Sequence, residues 1–235
     1  MENHRESHKV GYEMRDIILG WQDGLVNVLG IVLALAAAAY VNPEITTAAI
    51  IIGGLAATFA ESISMAAVGY TSTKAYESYY KSELEREKRE IEEIPDAERK
   101  EIRDIYIQKG FSGTLLNKIV QKITSNKKIW LDTMMREELH LTPPEKNSAL
   151  KSAAIIGFAA IIGSLVPLTP FLFFPVFDGM IGSILFSLLV LFLLGVAKAK
   201  VTTGSWFKSG LEIAVIGILA ALVGFVIGYG AGTVV

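Results

Sequence analysis

The sequence predicts an all-α, polytopic membrane protein with five transmembrane helices and a helical cytosolic insertion between the second and third. The chain has 235 residues, of which 51% are hydrophobic, and its mean hydropathy is +0.43. The apolar residues are concentrated in five long runs, whereas most of the 22 lysines and arginines lie between the second and third runs. About 20 consecutive apolar residues suffice to cross a hydrocarbon core of about 30 Å.

The five apolar runs are the predicted spans. Four of them reach about 20 residues, and the third does so when Ser148–Ser152 and Leu168 are added. The runs are Ile17–Tyr40, Ile45–Tyr70, Ala153–Val166, Phe171–Ala197 and Phe207–Val235. We do not expect a signal peptide, because the first sixteen residues are polar and the run after them is too long for one.

The basic residues predict the orientation of these spans. They occur before the first span, in the insertion with the start of the third span, and between the fourth and fifth spans; the other two loops and the tail after Tyr229 contain none. With five spans, all three basic segments lie on one side. The positive-inside rule places that side in the cytosol, so we expect a cytosolic N-terminus and an external C-terminus in the cell membrane.

These spans divide the chain into four predicted segments. They are a cytosolic N-terminus over residues 1–16, two spans within 17–70, a cytosolic insertion over 71–147 and three spans within 148–235. The insertion contains as many acidic as basic residues, so it is not a polybasic lipid anchor. The net charge of −2 gives no indication of nucleic-acid binding, and the absence of cysteine excludes disulfides and thiolate metal ligands.

Four helices are predicted in the insertion. The second span continues as one helix to Glu93, and Pro95 ends it. Asp96 is the expected N-cap of the next helix, through about Lys109. Two further helices are expected over Thr114–Ile123 and Asn126–His140, the last of them stopped by two prolines.

Four acids interrupt the predicted spans: Asp23, Glu61, Asp178 and Glu212. A carboxylate at the centre of a span costs about 2.5–3.5 kcal/mol, so it needs a role or a partner. Asp178 and Glu212 lie nearer span ends, where an acid more often reaches the interface or is neutralised by protonation. Asp23, Glu61 and Met65 lie roughly 9, 14 and 8 Å from the same cytosolic edge, which permits one site in the inner half of the membrane.

Two pairs of carboxylates flank Pro95. Glu87 and Glu90 are three residues apart, as are Glu98 and Glu101, so each pair faces one way on its own helix. If Pro95 folds the two helices against each other, the four carboxylates converge. The alternative is a pair of solvated, salt-bridged helices, because any Glu-rich helix contains ExxE by chance.

The segment "MMREELH" supplies further candidate ligands, Met134, Met135 and Glu138. Oxygen ligands combined with thioether sulfur, without cysteine, suit a divalent transition metal better than Mg²⁺ or Ca²⁺. This chemistry extends to the membrane, where Met65 lies beside two acids.

Four sequence elements together resemble the vacuolar iron transporter family. "RDIILGWQDGLVNVLGIV" is similar to the family's first span, with Asp23 in its Asp-Gly pair, and "SISMAAVGY" is similar to its second-span segment, with Met65 at the methionine. The two ExxE pairs separated by seven residues, and "MMREEL", are similar to its cytosolic elements. The resemblance covers nearly the whole chain.

The resemblance implies a homodimer that exports Fe²⁺, or Mn²⁺, from the cytosol, often in exchange for protons, with the first spans lining the path. The cytosolic carboxylates and methionines would capture the metal, and Asp23 and Met65 would pass it through the bilayer. Fe²⁺ is then the transported ion, with Zn²⁺ as a substitute, and no prosthetic group is expected.

One feature departs from the family: many members carry Glu in a Gly-Glu-aromatic sequence where this chain has Val68-Gly69-Tyr70. Glu61 either substitutes for that acid or belongs to a different path.

Two other functions are compatible with parts of the sequence. A di-iron carboxylate oxidase would use Glu137 and His140 as an ExxH motif, but such bundles usually need two of these motifs. A membrane-anchored metal sensor would explain the insertion and leave Asp23 and Met65 unexplained. A transporter, not an enzyme, is therefore the expected function.

Overall fold

The structure is a computed structural model that describes residues 7–201 and 204–233, and it contains no strand within those ranges. The predicted N-terminus over 1–16 and the predicted fifth span therefore lie partly outside the described residues. The α-helices are α1 (Ser7–Val41), α2 (Thr47–Glu93), α3 (Pro95–Gln108), α4 (Gly113–Thr124), α5 (Lys127–Thr133), α6 (Ser148–Leu168), α7 (Val176–Val201) and α8 (Trp206–Gly232). A π-helix, Met134–Glu138, follows α5, and a 3₁₀-helix, Thr169–Leu172, follows α6.

Five of these helices are long and apolar enough to cross a membrane. They lie in Glu13–Val41, Thr47–Glu93, Ser148–Leu172, Val176–Lys200 and Trp206–Gly232. Helices satisfy all their backbone hydrogen bonds internally, which hydrocarbon requires of any spanning segment. The predicted fold class, all-α with five spans and a helical insertion between the second and third, is confirmed.

The chain divides into two compact units. One comprises Met1–Tyr70 with Ala149–Val235, and is here called the membrane unit. The other comprises Thr71–Ser148, and is called the cytosolic unit after the side on which the basic residues predict it to lie. Helix α2 contributes Thr47–Tyr70 to the first and Thr71–Glu93 to the second.

Helix α1 supplies much of the core of the membrane unit. Five of its side chains in the main hydrophobic cluster are fully buried or nearly so: Val28, Leu29, Val32, Leu33 and Ala36. Their spacing of one, three, one and three residues follows the helical repeat, so they form one stripe on α1. This stripe fixes the orientation of α1 and therefore of the polar side chains that α1 carries.

Glycines allow α1 to pack closely against two other spans. A methyl group at Gly24 would collide with the carbonyl oxygen of Ala160 on α6 and would lie 2.7 Å from the Ser164 hydroxyl. A methyl group at Gly228 on α8 would likewise collide with the carbonyl oxygen of Ala34. Small residues at such contacts let helix backbones approach in a bilayer. Gly228 thus serves a contact within one chain.

The cytosolic unit has its own hydrophobic core. Buried side chains from α2, α3, α4 and α5 and the π-helix form it: Ile91, Ile102, Leu116, Val120, Ile123, Trp130 and Met134. Helix α4 contributes every third or fourth residue to this core, as expected of an amphipathic surface helix. The unit therefore buries apolar surface independently of the spans.

The predicted N-cap of α3 was wrong. Ile94 is the N-cap residue and Pro95 begins the helix, where its missing N–H is not needed. Asp96 lies in the first turn and instead accepts a hydrogen bond from Arg99 at 2.9 Å. Asn126 does cap its helix, α5, by accepting from the backbone N–H groups of Lys128 and Ile129.

The contact between α1 and α8 gives a test of the fold. Gly228→Ala should destabilise the protein by about 1–3 kcal/mol, because the added methyl group meets backbone atoms that cannot move independently. Gly230→Ala is the matched control, since nothing lies within 4 Å of a methyl group there. Thermal unfolding in detergent should separate the two variants; equal stability in both would contradict the helix contact.

Candidate metal centres

Two buried carboxylates stand on facing helices of the cytosolic unit. Glu87 on α2 is 1% exposed and Glu98 on α3 is 2% exposed. Both belong to the predicted ExxE pairs, whose other members, Glu90 and Glu101, are half-buried. A buried carboxylate is costly unless something compensates its charge. The structure thus brings the two pairs to one place, and within each pair it buries one member more deeply.

The pKa values of these groups show how close they are. Burial raises the pKa of Glu98 to about 7, and the neighbouring charges of Glu101, Glu87 and Glu138 add to the increase. Burial likewise raises the pKa of Glu138 to about 7, with further contributions from Glu101 and Glu87. The pKa of Glu87 is raised mainly by burial. The charges of Glu87 and Glu101 act on Glu138, and the charge of Glu138 acts on Glu98. Glu138, on the π-helix, therefore lies near the two ExxE pairs.

Three oxygens in this region have no hydrogen-bond partner in the part of the chain that the structure describes. They are the buried Oε2 atoms of Glu87, Glu98 and Glu138. A buried, unsatisfied polar atom costs about 1–3 kcal/mol, and more when the group is charged. Three such oxygens on one acidic surface form a suitable set of ligands for a cation. We call Glu87, Glu90, Glu98, Glu101 and Glu138 the acidic cluster.

Arg86 forms ion pairs with two members of this cluster, and no other such pair with the cluster is found among the described residues. Its guanidinium lies 3.3 Å from Glu87 and 3.6 Å from Glu90, and 2.8 Å from Glu83 outside the cluster. It donates to Oε1 of Glu87, the oxygen opposite the unpartnered one. One arginine does not balance five carboxylates. Negative charge therefore remains for a further cation.

The two predicted methionine ligands lie on the π-helix. Met134 and Met135 are 0% and 2% exposed, and the backbone N–H of Leu139 donates to the carbonyl of Met134 at 3.2 Å. The sequence predicted a regular helix to His140, but α5 ends at Thr133 and the wider turn follows. Single π-helical turns are frequent at functional sites. This turn carries both methionines and Glu138.

No three Asp, Glu or His side chains within residues 7–201 and 204–233 form a ready-made, closed metal site. The carboxylates of the acidic cluster lie close enough to interact, but they do not converge on one point as the ligands of a bound metal ion would. Mutual repulsion of like charges is sufficient to produce this arrangement. Binding of a cation would then involve small movements of glutamate side chains.

In the membrane unit, the structure brings together two of the predicted path residues. Asp23 on α1 and Glu61 on α2 are half-buried, and their carboxyl groups are close enough to interact. The Asn27 side-chain amide donates to Oε1 of Glu61. Asn27 was not predicted as a site residue, although its position one turn after Asp23 on the same helix face was visible in the sequence.

Met65 and Gly69 follow Glu61 on successive turns of α2. Met65 is half-buried and shares the face of Glu61. Gly69 is buried against α6, where a methyl group would lie 2.8 Å from Cδ1 of Ile156. Glu61 lies two turns away, roughly 12 Å along the helix. Glu61 is therefore well separated along α2 from Gly69, the position at which the resemblance led us to expect an acid.

Asp16 is a further buried acid that sequence reasoning missed. It is 5% exposed, lies 3.0 Å from the Arg15 guanidinium and precedes Asp23 by two helical turns. Positions i and i+7 lie on one face of a helix, so α1 carries Asp16, Asp23 and Asn27 along one side. Asp16 follows Arg15 and directly precedes the first apolar run, so the sequence pattern assigned it to the polar segment before the span.

The remaining sequence candidates have ordinary structural roles. Asp178 is exposed in the first turn of α7, where a negative charge is favourable, and Glu212 lies 3.7 Å from Lys198. Glu137 is paired with Lys109, and His140 is exposed. The ExxH motif thus does not point its two side chains into the acidic cluster.

A comparison with known proteins identifies the family. The model of the VIT family matches residues 14–229. The chain belongs to the VIT family. The matched residues include both the membrane unit and the cytosolic unit, so the family assignment covers the spans and the insertion of this VIT-family chain.

Curated relatives of this VIT-family chain match it over nearly its full length. Vacuolar iron transporter 2 of Oryza sativa subsp. japonica is 37% identical over 227 residues, which are 96% of this chain and 90% of that protein. Vacuolar iron transporter 1 of Tulipa gesneriana is 36% identical over 94% of this chain and 88% of that protein. The vacuolar iron transporter of Plasmodium falciparum (isolate 3D7) is 30% identical over 97% and 86%. All three are named as transporters, which supports a non-enzyme function for this chain.

The raised pKa values predict how the stability of the metal-free cytosolic unit depends on pH. Glu98 and Glu138 ionise near pH 7 in the folded unit and near 4.5 when unfolded, so the folded state binds more protons between these values. Stability should therefore fall as the pH rises from about 5 to about 8, by an amount of order 2 kcal/mol after allowance for the partial exposure of Glu138.

Urea unfolding of residues 71–148 in the presence of a chelator, at several pH values, would measure this dependence. A Glu98→Gln, Glu138→Gln variant should show a flatter profile, because neither side chain titrates. Stability that increases with pH in the unmodified unit would contradict the assignment.

Proposed function

We propose that this protein exports Fe²⁺, and also Mn²⁺, from the cytosol across the membrane in exchange for protons. The observation that carries the proposal is the acidic cluster, in which three buried oxygens lack a partner among the described residues. Its member Glu138 shares the π-helix with two buried methionines. Relatives named as iron transporters support the choice of ion. Transport of a metal ion is the activity common to those names.

Metal capture is assigned to the cytosolic unit. Glu87, Glu90, Glu98, Glu101 and Glu138 supply oxygen ligands, and Met134 and Met135 supply thioether sulfur. Thioether sulfur favours Fe²⁺ or the surrogate Zn²⁺ over Mg²⁺ and Ca²⁺, which take oxygen ligands only. The carboxylate oxygens can also hold Mn²⁺. Carboxylates must lose their protons to bind, so capture depends on pH. The metal is cargo, and the proposal includes no prosthetic group.

Passage through the bilayer is assigned to Asp23, Glu61 and Met65. Ionisable groups inside a membrane are commonly parts of ion pathways or proton relays. Two carboxyl groups that interact within the spans can hold a divalent cation when ionised and a proton when the cation leaves. This exchange provides a physical basis for coupling export to protons.

A homodimer would cover a polar surface of the membrane unit. Asn27 is exposed in the single chain and its partner Glu61 is only half-buried. Polar side chains facing hydrocarbon are costly, whereas a second copy of the chain or a water-filled path would accommodate them. We propose that the face bearing these residues meets the partner subunit.

The orientation follows from the distribution of basic residues. The N-terminus and the cytosolic unit are proposed to face the cytosol and the C-terminus the opposite side. The relatives are named vacuolar, and export from the cytosol has the same topology in a vacuolar membrane as in the cell membrane. The expectation of the cell membrane therefore has no support in those names.

A membrane-anchored sensor is the alternative function. It would account for the acidic cluster but not for Asp23 and Glu61, whose carboxyl groups interact within the membrane unit. This pairing favours a transporter.

Metal uptake into sealed proteoliposomes tests the proposal. Inside-out vesicles with the cytosolic face outward should accumulate Fe²⁺ when their lumen is acidic, and Asp23→Ala should reduce the rate by at least about tenfold while the protein stays folded and inserted. Asp178→Ala is the control, since that acid is exposed at the end of α7. Wild-type uptake by Asp23→Ala would remove Asp23 from the path, and absence of uptake by the unmodified protein would favour the sensor.

Calorimetry tests the capture site. Residues 71–148 should bind Fe²⁺ or Zn²⁺, and replacing Glu87, Glu90, Glu98 and Glu101 by Gln should abolish binding. The charge-matched control replaces four exposed glutamates by Gln: Glu85, Glu92, Glu93 and Glu145. This control should bind as the unmodified unit does. Equal affinity in both four-fold variants would show that the helices are merely solvated.

Neutralising Arg86 should have the opposite effect. Arg86→Gln removes a positive charge that competes with the metal for Glu87 and Glu90, so the affinity for Zn²⁺ should rise by up to about fivefold, the equivalent of about 1 kcal/mol for a partly exposed pair. A lower affinity would show instead that Arg86 holds the carboxylates in their binding positions.

A further inference from the structure

We infer that Asn27 is a positioning residue for ion transport, which holds the Glu61 carboxylate beside Asp23 so that both carboxylates act on the same ion. The inference rests on the proposed function and adds a residue to it.

The geometry links three polar side chains on two spans. Asp23 and Asn27 are one turn apart on α1, and Glu61 reaches them from α2. The Asn27 amide nitrogen donates to Oε1 of Glu61, and the Glu61 and Asp23 carboxyl groups interact. Asn27 therefore bonds to one carboxylate and shares a helix face with the other.

The surroundings explain why a neutral donor is needed. Residues 16–73 contain no Lys, Arg or His, so no basic side chain of α1 beyond Arg15, or of α2 up to Thr73, can balance Asp23 and Glu61. Two adjacent carboxylates repel each other, and this repulsion would move the long, flexible Glu61 side chain away from Asp23. A hydrogen bond from Asn27 opposes that movement.

An amide is well suited to this role because it does not carry charge. A lysine or arginine at residue 27 would bind Glu61 but would also neutralise it and compete with the transported cation. The Asn27 amide satisfies one lone pair of Oε1 of Glu61 and adds no positive charge, so the negative charge of the ionised Glu61 and Asp23 carboxylates stays available to the ion. Asn27 thereby sets where Glu61 stands without reducing its attraction for a cation.

Loss of the amide should therefore weaken ion binding through Glu61 alone. Asn27→Leu keeps the approximate size of the side chain and removes the donor. A hydrogen bond to a charged group contributes enough to expect roughly a tenfold increase in KM for Fe²⁺ uptake, with a smaller change in the maximal rate. Asn27→Gln keeps an amide donor, and its KM should fall between those of the wild type and Asn27→Leu.

A double-mutant cycle in proteoliposomes tests the inference. KM for Fe²⁺ is measured for the wild type, Asn27→Leu, Glu61→Ala and the double variant. If Asn27 acts through Glu61, each single variant raises KM about tenfold and the double variant raises it no further. Leu189→Ala, at an exposed apolar position of α7, is the control for a change on the surface of a span and should not alter KM.

Three results would overturn the inference. They are an unchanged KM in Asn27→Leu, a KM in the double variant that is the product of the two single effects, and equal KM values for Asn27→Leu and Asn27→Gln. If Glu61→Ala transports normally while Asp23→Ala does not, the positioning role of Asn27 fails and the proposed export of Fe²⁺ stands. If the wild type takes up no Fe²⁺, the proposed function itself fails.

Discussion

The cytosolic unit depends on one unfavourable arrangement, the burial of several carboxylates that repel one another. Glu87 and Glu98 lie inside the unit on helices that Pro95 separates, and Glu138 joins them from the π-helix. Their apolar neighbours, such as Ile91 and Ile102, hold the helices in place and so keep the charges together. A divalent cation would relieve the repulsion and supply a partner for each of the three unpaired oxygens. Burial of the carboxylates therefore lowers the stability of the metal-free unit and, for the same reason, favours metal binding.

The membrane unit contains a smaller version of the same arrangement. Asp23 and Glu61 interact within a stretch, residues 16–73, that contains no Lys, Arg or His, and the neutral Asn27 amide donates to Glu61. Close packing of α1 against α6 and α8 through Gly24 and Gly228 fixes the helix that carries two of these three side chains. A rigid α1 with unbalanced carboxyl groups is suited to a cation that must bind and leave.

The five spans and the position of the insertion were predictable because hydrocarbon accepts few structures and the basic residues mark one side. Spacing also indicated that Glu87 and Glu98 belong to facing pairs. It did not indicate which member of each pair is buried. Residues three apart lie on the same face of a helix, and how deeply each is buried depends on the packing of neighbouring helices. Asn27 and Asp16 were missed for a related reason: hydropathy gives the depth of a residue in a span but not the neighbouring helix that it faces. The π-helix depends on tertiary packing around Met134, which no local pattern encodes.

Proton release on metal binding tests most directly whether the buried carboxylates are the metal ligands. Glu98 and Glu138, with pKa values of about 7, each hold a proton about half of the time at neutral pH. Calorimetric titration of Zn²⁺ into the protein, repeated in buffers that differ in ionisation enthalpy, counts the protons displaced. About one proton should be released per metal ion at pH 7, and the number should approach zero well above pH 8. Metal binding at pH 7 without proton release would contradict this account.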